Sequence, residues 1–315
     1  MSFWLSIGGP KATQPTSLLF RTDILVIMNP AESVKVRPGN RRITGKEQFY
    51  TPSELALRLA KTVSDLVGGF ENKTVIEPAG GTGSFVKATK ALGATQVVSF
   101  DIEPKSEGVL LADFLLETKA LDKVSNAVTI SNPPFGRNNS LSIPFFNKAA
   151  QHSQFIAFVV PRSWRKWSVI NRLNRNFHLI HDEDLSIDYV DELGEMVWQK
   201  ARLNTCFQVW ERKANLRQLM KVTDFGLFSK VKPTEADVAL TVFGYSCGKV
   251  RTSFDRVPNS TVMFLKLHDS RVLAALQKVD FSKFYRNTAY TEALSLQEIR
   301  YLINEEILGE PGLEK

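Results

Sequence analysis

Apolar positions in this chain follow two different periods, and the change between them marks out the elements. In "TPSELALRLAKTVSDLV" (Thr51–Val67), Leu55, Leu59, Val63 and Val67 recur at every fourth residue, which predicts one helix with a single apolar face. Ser53, with Glu54 directly behind it, is the expected N-cap. Short apolar runs then stop abruptly: "KTVIEPAGGTGSF" (Lys73–Phe85), "QVVSFDIEP" (Gln96–Pro104), "AVTISNPPF" (Ala127–Phe135), "FIAFVVPRSW" (Phe155–Trp164) and "LNTCFQVWER" (Leu203–Arg212). Each reads as a strand, and "SFVKATKALG" between the first two reads as a helix closed by Gly93. Strands alternating with helices predict an α/β fold with a doubly wound, mostly parallel sheet. Ligands of such sheets bind outside the carboxyl ends of the strands. EPAGGTG, DIEP, NPPF and PRSW all fall at those ends. Beyond residue 213 the pattern turns α+β, so the expected organisation is a basic, partly disordered arm over 1–46, a main domain over 47–213 and a small C-terminal extension over 214–315.

Composition narrows the classes. The chain has 315 residues, 43% hydrophobic and 23% charged, which is ordinary for a globular protein. Its net charge of +7 permits a polyanionic partner without demanding one. The distribution adds more: residues 137–178 hold seven basic side chains and no acid. Two cysteines, Cys206 and Cys247, stand far apart with no CxxC, which argues against a disulfide framework or a zinc cluster and for a reducing, cytoplasmic compartment. His178 and His181 lack a third ligand nearby, so no metal is expected. No apolar run reaches the length of a membrane span. "SLLFRTDILVIM" is too short and too charged for a signal peptide, and Met28 is a second possible start.

The strand-end motifs carry the chemistry. Gly80, Gly81 and Gly83 allow a tight turn and close backbone approach to a ligand. GxGxxG is absent and so is a Walker lysine, which disfavours NAD and nucleoside triphosphates. Glu77 at the tip of the first strand repels a pyrophosphate and attracts an ammonium group, which suits S-adenosylmethionine. Asp101, ending the second strand, is placed to accept ribose hydroxyls, and Ile102 to pack on a purine; the bland alternative is a solvated strand-end acid. Asp113 is a candidate acceptor for an adenine amino group and Phe114 a candidate ring to lie on it. In NPPF, the Asn132 carboxamide and the carbonyl of Pro133 can accept both protons of an exocyclic amine and draw its lone pair out of conjugation. Pro133 and Pro134 stiffen that arrangement, and Phe135 offers a flat face to a base pulled from its stack.

Taken as an ordered set, these motifs resemble the S-adenosylmethionine-dependent N6-adenine DNA methyltransferases in which the cofactor motif precedes NPPY/F. The resemblance covers roughly residues 46–165. It implies a Rossmann-like methyltransferase sheet, S-adenosylmethionine as cofactor and site-specific DNA methylation, as in restriction–modification systems. "QFYTP" (Gln48–Pro52) matches the family's upstream cofactor segment, which assigns Tyr50 and Thr51 to the cofactor. Glu77, Ala79 and Gly81, with Gly83 in the same turn, fall near its methionine part. Asp101 and Ile102 go to the ribose and adenine edge, Asp113 and Phe114 to the adenine, and Asn132, Pro133 and Phe135 to the target base. Phe135 stands where tyrosine is commoner, and Gly80 where many members carry a larger residue. In the family a target-recognition region follows these motifs, which makes 214–315 the expected target-recognition domain, although its sequence resembles no particular one.

"VVPRSWRKWSVINRLNRNF" (Val159–Phe177) interleaves Arg162, Arg165 and Lys166 with Trp164 and Trp167. Cations with aromatic platforms are the ingredients of nucleic-acid binding; the alternative is a solvated basic face with core tryptophans. The expected partner is nucleic acid, DNA rather than RNA. Protein glutamine N-methylation, RNA amino-methylation and a non-catalytic nucleic-acid-binding module on the same fold stay open as alternatives. A cytosine-C5 enzyme needs a nucleophilic cysteine beside a proline, and neither cysteine has one.

Overall fold

The structure, a computed structural model, describes residues 49–117, 119–197, 203–254 and 261–314. The arm over 1–46 lies outside the described residues, as does Gln48 of QFYTP.

The chain runs α1 (Ser53–Val67), β1 (Thr74–Glu77), α2 (Ser84–Ala91), β2 (Gln96–Asp101), β3 (Val109–Leu111), β4 (Ala127–Ser131), α3 (Ser142–Ala149) and β5 (Ser153–Pro161). It continues through a 3-10 turn (Arg162–Arg165), α4 (Trp167–Ile170), β6 (Phe177–Leu185) and β7 (Thr205–Arg212). These strands form one seven-stranded sheet in the order β3-β2-β1-β4-β5-β7-β6. The pairs among β1 to β5 are parallel. β7 inserts antiparallel between β5 and β6.

Alternation along the central strands explains the two faces. In β5, Ile156, Phe158 and Val160 pack with α3 residues Phe145 and Phe146 and with Trp164 and Trp210. Ala157 and Val159 face the other way, against Leu59, Val63 and Phe85 of α1 and α2. α1 begins after Pro52, whose carbonyl takes the first helical bond from Ala56 (2.9 Å). Ser53 is thus the first helical residue, and no side chain caps this end, contrary to the N-cap expected of it. β6 carries the acidic run Asp182–Asp184 and has no clear apolar period, which is why sequence pattern alone does not reveal it.

The chain then builds a second, antiparallel sheet, β10-β9-β11-β8, from β8 (Phe228–Lys230), β9 (Val238–Thr241), β10 (Val250–Arg251) and β11 (Val262–Leu267). α5 (Val272–Lys278), α6 (Ser282–Tyr285) and α7 (Leu296–Leu308) pack on one face of it around Leu240, Leu265, Leu276 and Ile303. α7 starts on a complete capping box between Ser295 and Glu298. Among the described residues no helix is long and apolar enough to cross a membrane.

Candidate active site

From β1 the chain steps outward through β2 and β3 on one side, and from β4 through β5 on the other. The carboxyl ends of β1 and β4 therefore flank the crevice where an open α/β sheet binds its ligand. Glu77 ends β1 and Ser131 ends β4, and the Ser131 hydroxyl donates to Glu77 Oε1 at 2.5 Å. The Ala79 N–H donates to the same oxygen at 3.1 Å. Glu77 is 1% exposed, and its Oε2 has no hydrogen-bond partner. Burial pushes its carboxyl up to about 8, against the pull of Ser131 and Ala79 in the other direction.

A small cleft, open to solvent, lies at these strand ends. Its lining brings together Tyr50, Thr51, Ala79 and Asn132 from the sequence prediction, and adds Phe49, Gly80, Thr82, Ser84 and Phe85. Thr51 is buried with its hydroxyl unpartnered. The Tyr50 ring lies on the Gly-rich turn: a Cβ at Gly81, where φ is +47°, would meet it at 2.5 Å. Tyr50 is itself fixed by backbone bonds to Val190 (3.1 and 3.2 Å). Gly83 caps α2 in the left-handed region.

Asn132 has one side fixed and one side open. Its Nδ2 donates to the carbonyl of Phe49 at 3.0 Å. A carbonyl can only accept, so the amide nitrogen must point there and the orientation is set. Oδ1 is then buried without a partner. Phe49 acts through its backbone, so no side-chain pattern in the sequence singles it out. Pro133 is buried, and Pro134 and Phe135 are half-buried. The Phe135 carbonyl takes the N–H groups of Leu141 and Ser142 (3.3 and 3.4 Å), which folds the loop back on itself. A Cβ at Gly136 would meet the Leu141 nitrogen at 2.8 Å, so this reversal needs glycine.

Asp101 ties the second strand to the first turn. Its Oδ2 accepts from Gly81 N–H and its Oδ1 from Glu103 N–H, both at 2.8 Å. Each oxygen keeps a further lone pair for a hydroxyl. Ile102 is 74% exposed beside it. Asp113 is exposed beyond β3, with Oδ1 accepting from Leu115 N–H (2.9 Å). Phe114 departs from its expected role. It is 1% exposed, with its ring between Phe100 and Phe145 (5.8 and 5.5 Å), so it is a core residue with no face free for adenine.

The basic aromatic segment also departs from expectation. Trp164 is fully buried in the core and donates Nε1–H to Ser142 Oγ (3.2 Å), so it cannot stack on a base. Arg162 pairs with Asp184 (2.9 Å). Arg165 grips Asp182 with two nitrogens (2.9 and 2.6 Å) and Asp184 with a third (2.7 Å), and the Asp182 bonds hold its guanidinium all the more firmly protonated. Lys166 donates to Glu298 and to the carbonyls of Ala293 and Phe284. Trp167 packs on Phe284 and Tyr301 (5.5 and 5.6 Å). The cations expected on phosphates are thus joints: two hold β6 against the end of β5, and one holds the C-terminal sheet's helices. The acids that neutralise them lie beyond the acid-free stretch, in β6 and α7.

No family model and no curated protein matches this chain. Among solved structures it is similar to the proposed RNA methyltransferase of Pyrococcus horikoshii, at 19% identity and a TM-score of 0.43, over 57% of this chain and 94% of that one. It is also similar to the M protein of the type I restriction enzyme EcoKI (16% identity, TM-score 0.39, 56% of this chain and 47% of that one). TrmN from Thermus thermophilus matches at 17% identity and a TM-score of 0.35, over 50% of this chain and 48% of that one. At these values the likeness carries no argument about the reaction, which rests on the site.

Proposed function

We propose that this chain is an S-adenosylmethionine-dependent methyltransferase that acts on the exocyclic N6 amine of adenine in nucleic acid, DNA in preference to RNA. The observation that carries this reading is Asn132. A buried carboxamide oxygen without a partner is costly, and here it stands in the wall of the cleft with its amide group already oriented by Phe49.

The surroundings suit the cofactor. Glu77 Oε2 and Thr51 Oγ1 are further buried polar atoms without partners around the same strand ends. Glu77, held largely neutral by burial, offers an unpartnered Oε2 that an incoming ammonium group would draw to the charged form; Asp101 offers free lone pairs for ribose hydroxyls, and Ile102 and Asp113 an exposed edge for adenine. Tyr50, Ala79, Gly81 and Gly83 shape the turn around the methionine part. When bound, S-adenosylmethionine supplies an electrophilic methyl group. Asn132 Oδ1 would accept a hydrogen bond from one N–H of the target amine and the Pro133 carbonyl from the other, which would draw the nitrogen lone pair out of conjugation with the ring, and the surplus proton of the methylated amine would leave to solvent. Pro133 and Pro134 keep these acceptors in place, and Phe135 supports the base turned out of its stack. The order of the motifs favours DNA.

Incubation with methyl-labelled S-adenosylmethionine and either DNA or RNA, followed by nucleoside mass spectrometry, tests the reading. Labelled N6-methyladenine from DNA is expected. Label in RNA alone would change the substrate, and label confined to protein glutamine would overturn the reading.

A further inference from the structure

We infer that four cations without a carboxylate partner, Arg137, Lys148, Arg172 and Arg175, form a track for the phosphate backbone of nucleic acid, which runs from the NPPF loop along the outer side of α3. The inference rests on the nucleic-acid reading above and names the surface that holds that substrate.

The acid-free stretch 137–178 holds seven cations, and folding divides them. Arg162, Arg165 and Lys166 take acids from β6 and α7. Among the described residues, none of the other four pairs with a carboxylate. Arg137, Arg172 and Arg175 are exposed and Lys148 is half-buried. Cations that folding leaves unneutralised at the surface are the ones open to a polyanion.

α3 joins the four. It carries no acid, and Leu141 just before it, Pro144 and Lys148 lie on one side at helical spacing, while Ile143, Phe145, Phe146 and Ala149 are buried on the other. Arg137 stands between NPPF and the start of this helix: the Ser140 N–H donates to Arg137 O (3.1 Å), and Leu141 and Ser142 turn back onto Phe135 O. At the far end, Asn147, next to Lys148, donates Nδ2 to Arg172 O (3.0 Å) and accepts from Asn174 N–H (2.8 Å). These bonds seat the Arg172–Arg175 turn against the last turn of α3. The helix has eight residues and so spans about 12 Å. The track therefore reaches from the catalytic loop to the turn that leads into β6.

Two of the arginines are preset as forks. Arg172 Nε donates to Ser168 O at 2.9 Å and Arg175 Nε to Arg217 O at 2.8 Å. Each guanidinium is thus pinned at Nε and keeps both terminal nitrogens to grip a phosphate. Arg217 lies behind them, its guanidinium spent on the carbonyls of Ile170, Leu173 and Phe177. Burial, and after it the charge of Arg175, press against its protonation, and an anion on Arg175 relieves the second of these. Acids on neighbouring segments are matched: Glu211 with Lys213 (3.5 Å) and Glu314 with Lys221 (2.9 Å). On its opposite flank α3 meets Phe114 through Phe145 (5.5 Å), in a segment that carries Asp113, Glu117 and Asp122. A polyanion is repelled from that flank and directed to the side of Arg172 and Arg175.

The test is anisotropy of a labelled DNA duplex of about 20 base pairs with the full chain, over a series of salt concentrations. The variants are Arg137→Gln, the pair Arg172→Gln with Arg175→Gln, and Lys61→Gln, whose residue pairs with Asp65 on α1 at the other face of the sheet. The arginine pair should flatten the slope of log affinity against log salt by nearly two units, and Arg137→Gln by nearly one. Lys61→Gln should leave it unchanged. A thermal melt checks folding, and if the pair unfolds, Arg137→Gln carries the test, because its side chain bonds to no described residue. An unchanged slope in Arg137→Gln and in the folded pair, an equal loss in Lys61→Gln, or no binding by the wild type would each overturn the track. Flattened slopes with no methyl transfer to DNA or RNA by the wild type would keep the track and remove the methyltransferase reading. Intact methyl transfer with unchanged slopes would remove the track alone.

Discussion

Asn132 is oriented from outside its own strand, by a carbonyl 83 residues earlier in the chain. In the proposed reaction its carboxamide serves the target amine, so Asn132→Ala should keep S-adenosylmethionine affinity while the barrier to transfer rises by about 3 kcal/mol, on the scale of a lost oxyanion donor. Calorimetry and a transfer assay on the same variant check this; near-wild-type turnover would refute the proposed role. Glu77 makes a prediction in pH. Its folded carboxyl titrates near 8, above the ordinary 4.5, so the folded chain binds this proton more tightly than the unfolded one. The resulting stability is fully present below about 4.5 and is lost as pH rises through about 8. Glu77→Gln, neutral and of the same shape, should erase that loss: the variant's melting temperature relative to wild type should rise between pH 5 and pH 9. The same variant should bind S-adenosylmethionine more weakly, because an amide cannot answer an ammonium charge. A pH-independent difference in melting temperature would mean that Glu77 ionises normally.

At the scale of elements, the stretch after β5 links three parts of the fold. Its arginines clasp β6, Trp164 fills the core under the sheet, and Lys166 with Trp167 reaches the helices of the second sheet. The side chains of Lys166 and Glu298 are only 14% and 3% exposed. Removing one partner of such a pair leaves the other charge buried, so Lys166→Met should destabilise the fold by about 3–5 kcal/mol. Adding Glu298→Gln, which removes the stranded charge and keeps an acceptor for the Ser295 N–H, should recover much of that. Denaturant unfolding of the single and double variants measures both, and a mild single variant would show the joint to be weakly coupled. The strand tips were legible because proline and glycine end strands for local reasons. β6 was not, since its charged positions are accounted for only by partners on other elements, such as Arg58 and Arg165.

For the molecule as a whole, the contrast between local and folded charge decides which cations reach a polyanion. The chain carries +7 overall, and the acid-free stretch 137–178 suggests a basic face. Folding brings Asp182, Asp184 and Glu298 onto Arg162, Arg165 and Lys166. Replacing Arg162 or Arg165 by alanine should therefore leave the salt dependence of nucleic-acid binding unchanged, read as the slope of log affinity against log salt. A slope flattened by nearly one unit per substitution would restore their assignment to phosphates. The sequence by itself determined the alternation of strands and helices and the placing of EPAGGTG, DIEP and NPPF at strand ends, because period, proline and glycine act within a few residues. It also supplied Glu77, Asp101 and Asn132 as polar groups at those strand ends. Only the tertiary structure decided that Phe114 and Trp164 are core, that the Phe49 carbonyl orients Asn132, and that the basic segment is neutralised. Burial, backbone hydrogen bonds and ion pairs between distant elements depend on which surfaces meet, and no local pattern records that.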